Sequence, residues 1–174
     1  MWRHVRLITL VLGGTRSGKS EVAESLVART SAAVTYVATC RAPGSGDEDM
    51  AARIAAHRAR RPAGWATVEA GHDLAVVLRG LAGPVLVDSL GTWVAGFDDL
   101  DPDAAPLCAA LRDRDGDTVV VSEEVGLGVH APTEAGRRFA DTLGGLNRAV
   151  AGIADRVLLV VAGRVLPLDR PEDA

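Results

Sequence analysis

The amino-acid sequence predicts an α/β protein, a three-layer sandwich in which helices cover both faces of a mainly parallel sheet. Short apolar runs rich in β-branched residues alternate with helical patterns, and parallel strands need such crossover connections. The runs lack polar alternation, which is typical of strands buried on both faces. A length of 174 residues, without an internal repeat or a long linker, predicts that residues 1–174 form one domain.

The first half of the chain alternates strand and helix patterns. Its first apolar run ends in a glycine pair, as expected for a buried strand that leads into a turn. Its helical segments carry apolar residues at spacings of three and four, and a Pro- and Gly-rich segment separates them. The predicted elements are a strand at 7–12, a helix at 20–32, a strand at 33–38, a loop at 41–47 and a helix from Asp47 or Asp49 towards Arg60, stopped by Pro62.

The second half supplies three further strands and one long helix. An acidic, Pro-interrupted segment follows the first of these strands and indicates a connection. Ligands of parallel sheets bind beyond the carboxyl ends of the strands, so we expect the site residues to follow the strands directly. Gly13, Thr39, Asp88 and Glu123 do so. The predicted elements are strands at 85–87, 118–121 and 156–162, a connection at 98–106 and a helix at 135–153.

Composition and charge exclude several classes of protein. Lys and Arg number 19 against 23 Asp and Glu, so the net charge of −4 lacks the basic surplus of a nucleic-acid-binding protein. Aromatic residues make up only 3% of the chain, too few for a platform that stacks single-stranded bases. No apolar run approaches the ~20 residues of a membrane span. Cys40 and Cys108 belong to no CxxC pair, which favours a reducing compartment, and we expect a cytoplasmic protein.

A glycine-rich motif of the form GxxxxGK[ST] lies between the first predicted strand and the first predicted helix. Glycines there let backbone N–H groups converge on phosphate oxygens, and the helix adds its positive end. The lysine of such a motif bridges the β- and γ-phosphates, and the last hydroxyl ligates Mg²⁺. The motif predicts a P-loop NTPase-like fold that binds a nucleoside triphosphate, but it leaves the reaction open. Its residues are Gly13, Gly14, Thr15, Arg16, Ser17, Gly18, Lys19 and Ser20.

Asp88 ends the buried strand at 85–87 and is a candidate for the second half of the phosphate site. A carboxylate in this position can hold a metal ion through water and can offset the charge of Lys19. The alternative is an acidic residue that merely ends a strand in a turn, but its pairing with the glycine-rich loop favours the metal role. The sequence therefore predicts that Ser20 and Asp88 hold Mg²⁺.

His57 lies in a predicted helix among several arginines. Met50, Ile54 and His57 recur at helical spacing, so the imidazole shares a face with apolar residues. Fixed cations beside an imidazole favour its neutral, nucleophilic form and also attract phosphate. A histidine that attacks phosphorus needs this environment, whereas the alternative is a solvated basic face. The arginines are Arg53, Arg58, Arg60 and Arg61.

Further motifs accompany the P-loop and the histidine. They are Tyr36-Val37-Ala38-Thr39, Arg53-Ile54 with His57, Arg61-Pro62 with Trp65, Glu69, Val87-Asp88-Ser89-Leu90 with Trp93, Glu124-Val125-Gly126-Leu127-Gly128, Arg137, Phe139, Asp141, Asn147 and Ala154-Asp155-Arg156-Val157. In order and spacing, residues 7–165 resemble the bifunctional adenosylcobinamide kinase/adenosylcobinamide-phosphate guanylyltransferases of cobalamin biosynthesis.

The resemblance implies two reactions. A nucleoside triphosphate, ATP or GTP, phosphorylates adenosylcobinamide, and GTP then transfers GMP to adenosylcobinamide phosphate through a guanylylated histidine. By position, His57 is the covalent nucleophile and Lys19 the second catalytic residue. The resemblance also implies Mg²⁺ as cofactor and a homotrimer. Beyond the P-loop, the residues implied to line the nucleotide site are Ala38, Thr39, Cys40, Arg58, Ala59, Arg60, Arg61, Glu69 and Asp88.

The sequence departs from the family pattern after the strand predicted at 118–121. Glu123 stands where similar proteins tend to carry Asn, which adds a negative charge near the phosphates. Ala140 and Arg148 stand where Arg and Gln are frequent. These departures concern the corrinoid side of the site, and Glu123, Glu124 and Asn147 are candidates rather than assigned site residues.

Two other functions remain as alternatives. A simple P-loop kinase of a small metabolite, with a structural His57, would transfer label from the γ-phosphate of its nucleotide but never from the α-phosphate. Such kinases usually close an Arg-rich lid over the phosphates, and residues 41–47 contain only one arginine. A non-catalytic nucleotide switch would bind nucleotide without turnover.

Overall fold

The computed structural model of the protein describes residues 6–30, 33–40 and 61–170. Within these ranges the chain forms seven strands and five helices. The strands are β1 (Ile8–Gly13), β2 (Thr35–Ala38), β3 (Ala66–Glu69), β4 (Val85–Asp88), β5 (Thr118–Glu123), β6 (Arg156–Val161) and β7 (Arg164–Pro167). The helices are α1 (Lys19–Ala28), α2 (Leu74–Gly80), α3 (Leu90–Val94), α4 (Ala104–Asp113) and α5 (Glu134–Ala151).

The seven strands form one mostly parallel sheet in the order β3-β2-β4-β5-β1-β6-β7. Six strands run parallel, and β7 pairs antiparallel with β6. Ala162 and Gly163, both at positive φ, form the two-residue turn between β6 and β7. Strand β5 separates β1, which leads into the P-loop, from β4, which ends at Asp88. The carboxyl ends of these three strands therefore lie side by side at one edge of the sheet.

Helices cover both faces of this sheet, which confirms the predicted sandwich. Because successive strand side chains point to opposite faces, Leu10 and Leu12 join one apolar cluster and Val11 joins the other. Helix α1 covers the face of Val11, and the remaining four helices pack on the face of Leu10. Burying a Val or Leu side chain contributes about 1.5–3 kcal/mol, so the fully buried β1 anchors the loop that follows it. Helix side chains buried on these faces include Ala23, Val27, Leu74, Leu90, Leu107, Leu143 and Leu146.

All five predicted strands are present, and their ends differ from the predicted ones by no more than two residues. The long helix predicted at 135–153 is α5, and Thr133 caps it by accepting a hydrogen bond from the Gly136 N–H at 3.1 Å. The helix predicted at 20–32 begins at Lys19 and ends at Ala28. The loop predicted at 41–47 and the helix predicted to reach Arg60 lie outside the described residues.

The prediction that residues 98–106 are only a connection is wrong, because α4 begins at Ala104. Asp103 caps this helix and accepts a hydrogen bond from the Ala105 N–H at 2.9 Å. Pro106 lies in the first turn, where its missing N–H removes no intrahelical hydrogen bond. The prediction also missed α2 and α3, which have seven and five residues, and the four-residue edge strands β3 and β7. In the part of the chain that the structure describes, no helix is both long and apolar enough to cross a bilayer.

Candidate active site

The P-loop, residues 13–20, is held tightly between β1 and α1. A Cβ atom on Gly13 would collide with the Ser17 hydroxyl and with the Val160 carbonyl, so no side chain fits there. Gly18 adopts a φ of 90° just before the helix, a left-handed conformation that favours glycine. The β6–β7 turn supports the loop from outside, since the Gly163 N–H donates to the Ser17 carbonyl at 2.8 Å.

Lys19 begins α1, and its side chain folds back over the loop. Its Nζ lies 3.4 Å from the Gly14 carbonyl oxygen and 3.6 Å from Oε1 of Glu123. Only 12% of the side chain is exposed. The ammonium group is therefore fixed above the loop that the motif assigns to phosphate.

Glu123 ends β5 and connects Lys19 to the residues that follow Asp88. Its carboxylate accepts a hydrogen bond from the Ser89 hydroxyl at 2.9 and 3.0 Å to the two oxygens, and another from the Gly91 N–H at 2.9 Å. Ser89 also caps α3 by accepting from the Thr92 N–H. One carboxylate thus joins the P-loop lysine to the first turn of α3.

Asp88 is held by a tyrosine in the neighbouring strand. The Tyr36 hydroxyl donates to Oδ2 of Asp88 at 3.0 Å, and the Arg61 guanidinium carbon lies 3.2 Å from the centre of the tyrosine ring. Burial and the adjacent Asp88 carboxylate raise the pKa of the Tyr36 hydroxyl above its ordinary value, so this group stays a donor. Tyr36 therefore links Arg61, which directly follows the predicted histidine helix, to the proposed metal ligand.

Three of the predicted nucleotide-binding residues are register partners on neighbouring strands. Ala38 of β2 pairs with Glu69 of β3 on one side and with Asp88 of β4 on the other. Thr39 follows, 3% exposed, and its hydroxyl donates to the Ser89 carbonyl at 2.5 Å. These residues and the P-loop lie at the carboxyl ends of strands of the same sheet, where the sequence predicted the site.

A cavity of about 240 Å³ opens beside Thr39 at this edge of the sheet. His72 lies in its wall, stacks on Phe97 at 4.4 Å between ring centres, and has Nε2 2.7 Å from the Gly96 carbonyl oxygen. Trp93 packs in the core, and its indole N–H donates to the His72 carbonyl at 3.3 Å. The lining residues are Thr39, Ala70, Gly71, His72, Asp73, Trp93 and Gly96.

The structure describes only some of the other predicted site residues. His57, Arg58, Ala59 and Arg60 lie outside the described residues. Cys40 is half-buried and forms no disulfide. The sequence-based prediction gave no role to Tyr36 or Ser89, although the only tyrosine of the chain, in a strand of otherwise small and β-branched residues, was a signal that could have identified one of them.

The residues at this edge of the sheet suit a hard cation whose coordination shell is completed by oxygens of the substrate. Among the described residues, no group of three or more His, Cys, Asp or Glu could hold a metal ion by itself. Ser20 and Asp88 offer a hydroxyl and a carboxylate, and Mg²⁺ prefers oxygen ligands and usually takes few from protein, with phosphates and waters supplying the rest. The donor set fits Mg²⁺ bound together with a nucleotide.

Comparison with known proteins identifies the family. The sequence profile of the cobinamide kinase / cobinamide phosphate guanyltransferase family matches residues 9–168. The chain belongs to this family. It is a family of transferases, and the match confirms the resemblance that the sequence motifs indicated.

The chain aligns with two curated relatives of this family over almost the full length of each relative. The bifunctional adenosylcobalamin biosynthesis protein CobP of Pseudomonas aeruginosa is 44% identical in an alignment over 168 residues that covers 91% of this chain and 95% of that protein. The bifunctional adenosylcobalamin biosynthesis protein CobU of Escherichia coli is 36% identical over 179 residues, with 90% and 97% covered.

A solved structure supports the fold class. An ATPase from the type III secretion system of pathogenic bacteria matches with a TM-score of 0.52 at 11% identity, and the match covers 88% of this chain and 50% of that chain. At this identity the similarity concerns the fold alone, and it agrees with the predicted P-loop NTPase-like sandwich.

Proposed function

We propose that this protein phosphorylates adenosylcobinamide with a nucleoside triphosphate and then transfers GMP from GTP to the product through a guanylylated His57. The observation that carries the proposal is that the P-loop, Asp88 and Glu69 all lie at the carboxyl ends of parallel strands of one sheet, in a chain of this family. A triphosphate bound there has a lysine, a helix N-terminus and a metal-binding carboxylate within one site.

In the first reaction, a hydroxyl of adenosylcobinamide attacks the γ-phosphorus. The new O–P bond forms as the bond to the β-phosphate oxygen breaks, and the hydroxyl proton is released. Lys19, which is already fixed above the loop, offsets the charge that develops on the β- and γ-phosphate oxygens. When bound, Mg²⁺ held by Ser20 and Asp88 supplies further positive charge to the same oxygens.

In the second reaction, a nitrogen of His57 attacks the α-phosphorus of GTP, and pyrophosphate leaves. A phosphate oxygen of adenosylcobinamide phosphate then attacks the same phosphorus, and the N–P bond breaks to give adenosylcobinamide-GDP. The covalent intermediate divides one transfer between two polyanions into two in-line steps. Arg61, together with Arg58 and Arg60 of the same predicted cluster, offers charge to hold the α-phosphate and the pyrophosphate.

The Arg61–Tyr36–Asp88 contacts support the use of one nucleotide site for both reactions. Arg61 lies four residues after His57 in the sequence, and its guanidinium packs on the ring whose hydroxyl holds Asp88. A chain of contacts therefore runs from the end of the histidine segment to the metal-binding carboxylate. We also propose a single catalytic domain spanning residues 1–174, a homotrimer in solution and a cytoplasmic location, as the sequence and the family resemblance imply.

Two labelled nucleotides test the proposal. With γ-labelled ATP, the protein should transfer label to adenosylcobinamide, and with α-labelled GTP it should become labelled itself in an acid-labile, base-stable bond. His57→Ala should abolish the second label, because the nucleophile is missing, while leaving the P-loop intact. A protein that transfers label only from the γ-position is a simple kinase, and a protein that binds GTP without any transfer is a nucleotide switch; either result overturns the proposal.

A further inference from the structure

Glu123 lies beside the P-loop in the sheet, within ion-pair distance of the P-loop lysine. Strand β5 lies between β1 and β4, and Glu123 is the register partner of Gly13, the first residue of the P-loop. The main chain of Glu123 is anchored from α5, because the Asn147 side-chain amide donates to its carbonyl at 3.0 Å and accepts from the Ser122 hydroxyl at 2.6 Å. The position of this residue is therefore set by the neighbouring strand β1 and by α5.

The Glu123 carboxylate is fixed before any nucleotide binds. The Ser89 hydroxyl and the Gly91 N–H hold its two oxygens at 2.9–3.0 Å, and 27% of the side chain is exposed. A Cβ atom on Gly91 would collide with this carboxylate, so the first turn of α3 packs directly against it. Since three contacts orient the carboxylate, it does not need Lys19 to stay in place.

Among the residues that the structure describes, Lys19 contacts the Gly14 carbonyl and the Glu123 carboxylate, of which the second carries a negative charge. The Gly14 carbonyl is a neutral acceptor for the ammonium group, whereas the Glu123 carboxylate, 3.6 Å away, offsets much of the ammonium charge. The γ-phosphate of a nucleotide needs the same ammonium group and would approach a carboxylate that Ser89 and Gly91 hold in place. Two negative charges a few ångströms apart in a partly buried site repel each other strongly enough to weaken the binding of a phosphate group.

We propose that Glu123 is the built-in counterion of Lys19 and that triphosphate binding must compete with this ion pair, so that Glu123 sets the affinity of the site for the γ-phosphate. The inference rests on the proposed nucleotide site but concerns a residue to which the proposed function gives no role. Glu123 is a positioning residue: it acts on the nucleotide through Lys19. It makes the site bind triphosphate less tightly than the P-loop alone would.

The test compares nucleotide affinities of Glu123→Gln with those of the parent protein. Glutamine keeps an acceptor for the Gly91 N–H and a polar partner for Ser89, but it removes the charge. With Mg²⁺ and guanosine 5′-(β,γ-imido)triphosphate, titration calorimetry should show a Kd about tenfold lower than that of the parent protein. For GMP, which has no γ-phosphate, the Kd should change by less than about twofold.

Two controls make the result specific. Glu134→Gln changes the net charge equally but lies at the start of α5, where its exposed carboxylate faces Arg138 at 4.0 Å, and it should leave both affinities as they are. Urea unfolding of Glu123→Gln verifies that the variant is folded. Unchanged or weaker triphosphate binding by the folded variant overturns the inference, as does an equal gain for GMP and the triphosphate. A parent protein that binds no triphosphate overturns the proposed function itself, and the two failures are thus distinguishable.

Discussion

Gly13 shows how one residue ties the P-loop to the core. A Cβ atom on this residue would collide with both the Ser17 hydroxyl and the Val160 carbonyl of β6, so there is no room for one. Ser17 itself is buried, and its hydroxyl has no hydrogen-bond partner among the described residues. The loop is therefore shaped by close packing against β6 as well as by its own turn geometry.

A pair of alanine substitutions tests this packing. Gly13→Ala should lower the free energy of unfolding by about 2–3 kcal/mol, because the new methyl group must displace the Val160 backbone or the Ser17 side chain. Gly14→Ala is the matched control, since nothing lies within 4 Å of its Cβ position. Urea unfolding measures both. Equal losses of stability in the two variants would mean that contact with β6 does not shape the loop.

Arg114 connects elements rather than single residues. Its side chain is 4% exposed and donates hydrogen bonds to the Leu81 and Gly83 carbonyls before β4 and to the Gly116 and Asp117 carbonyls before β5. Burial lowers the pKa of its guanidinium group, and the nearby Asp115 carboxylate opposes this effect. One cation thus satisfies the carbonyls of two turns that place adjacent strands in register.

Replacing Arg114 should destabilise the fold. In Arg114→Met, the part-buried Leu81, Gly83 and Gly116 carbonyls lose the donor that Arg114 provides, so we expect the free energy of unfolding to fall by about 3 kcal/mol. Arg112→Met is the control, because Arg112 is exposed on the last turn of α4. Chemical denaturation compares the two variants. A loss for Arg114→Met no larger than that for Arg112→Met would contradict the role of Arg114 as the link between the turns.

The elements that sequence patterns predicted well are those with a continuous apolar core. Strands β1, β4 and β5 and helix α5 have long runs or strong periodicity, and each was found within two residues of its observed ends. The edge strand β3 was missed because its four residues are mostly exposed and carry no apolar run. Strand β7 was missed too, although Ala162-Gly163 between two apolar runs is a hairpin signal.

For the sheet as a whole, the sequence predicted which strand ends carry the site residues, but not how the side chains there contact each other. The P-loop pattern and Asp88 each followed a buried strand, and the order of strands in the sheet brings them to one edge. The Lys19–Glu123–Ser89 and Arg61–Tyr36–Asp88 contacts join residues that are distant in the sequence, and no local pattern encodes such pairs. The roles assigned to His57 and its neighbouring arginines stay predictions.

In the proposed mechanism, a guanylylated histidine connects the two reactions. Intact-mass spectrometry of the protein, treated with Mg²⁺ and GTP and kept alkaline, tests it directly. We predict that the chain gains the mass of one GMP, that the adduct maps to the peptide containing His57, and that acid or the His57→Ala substitution removes it. A protein that turns over GTP and adenosylcobinamide phosphate without this adduct, or that carries GMP on another residue, does not use His57 as its nucleophile.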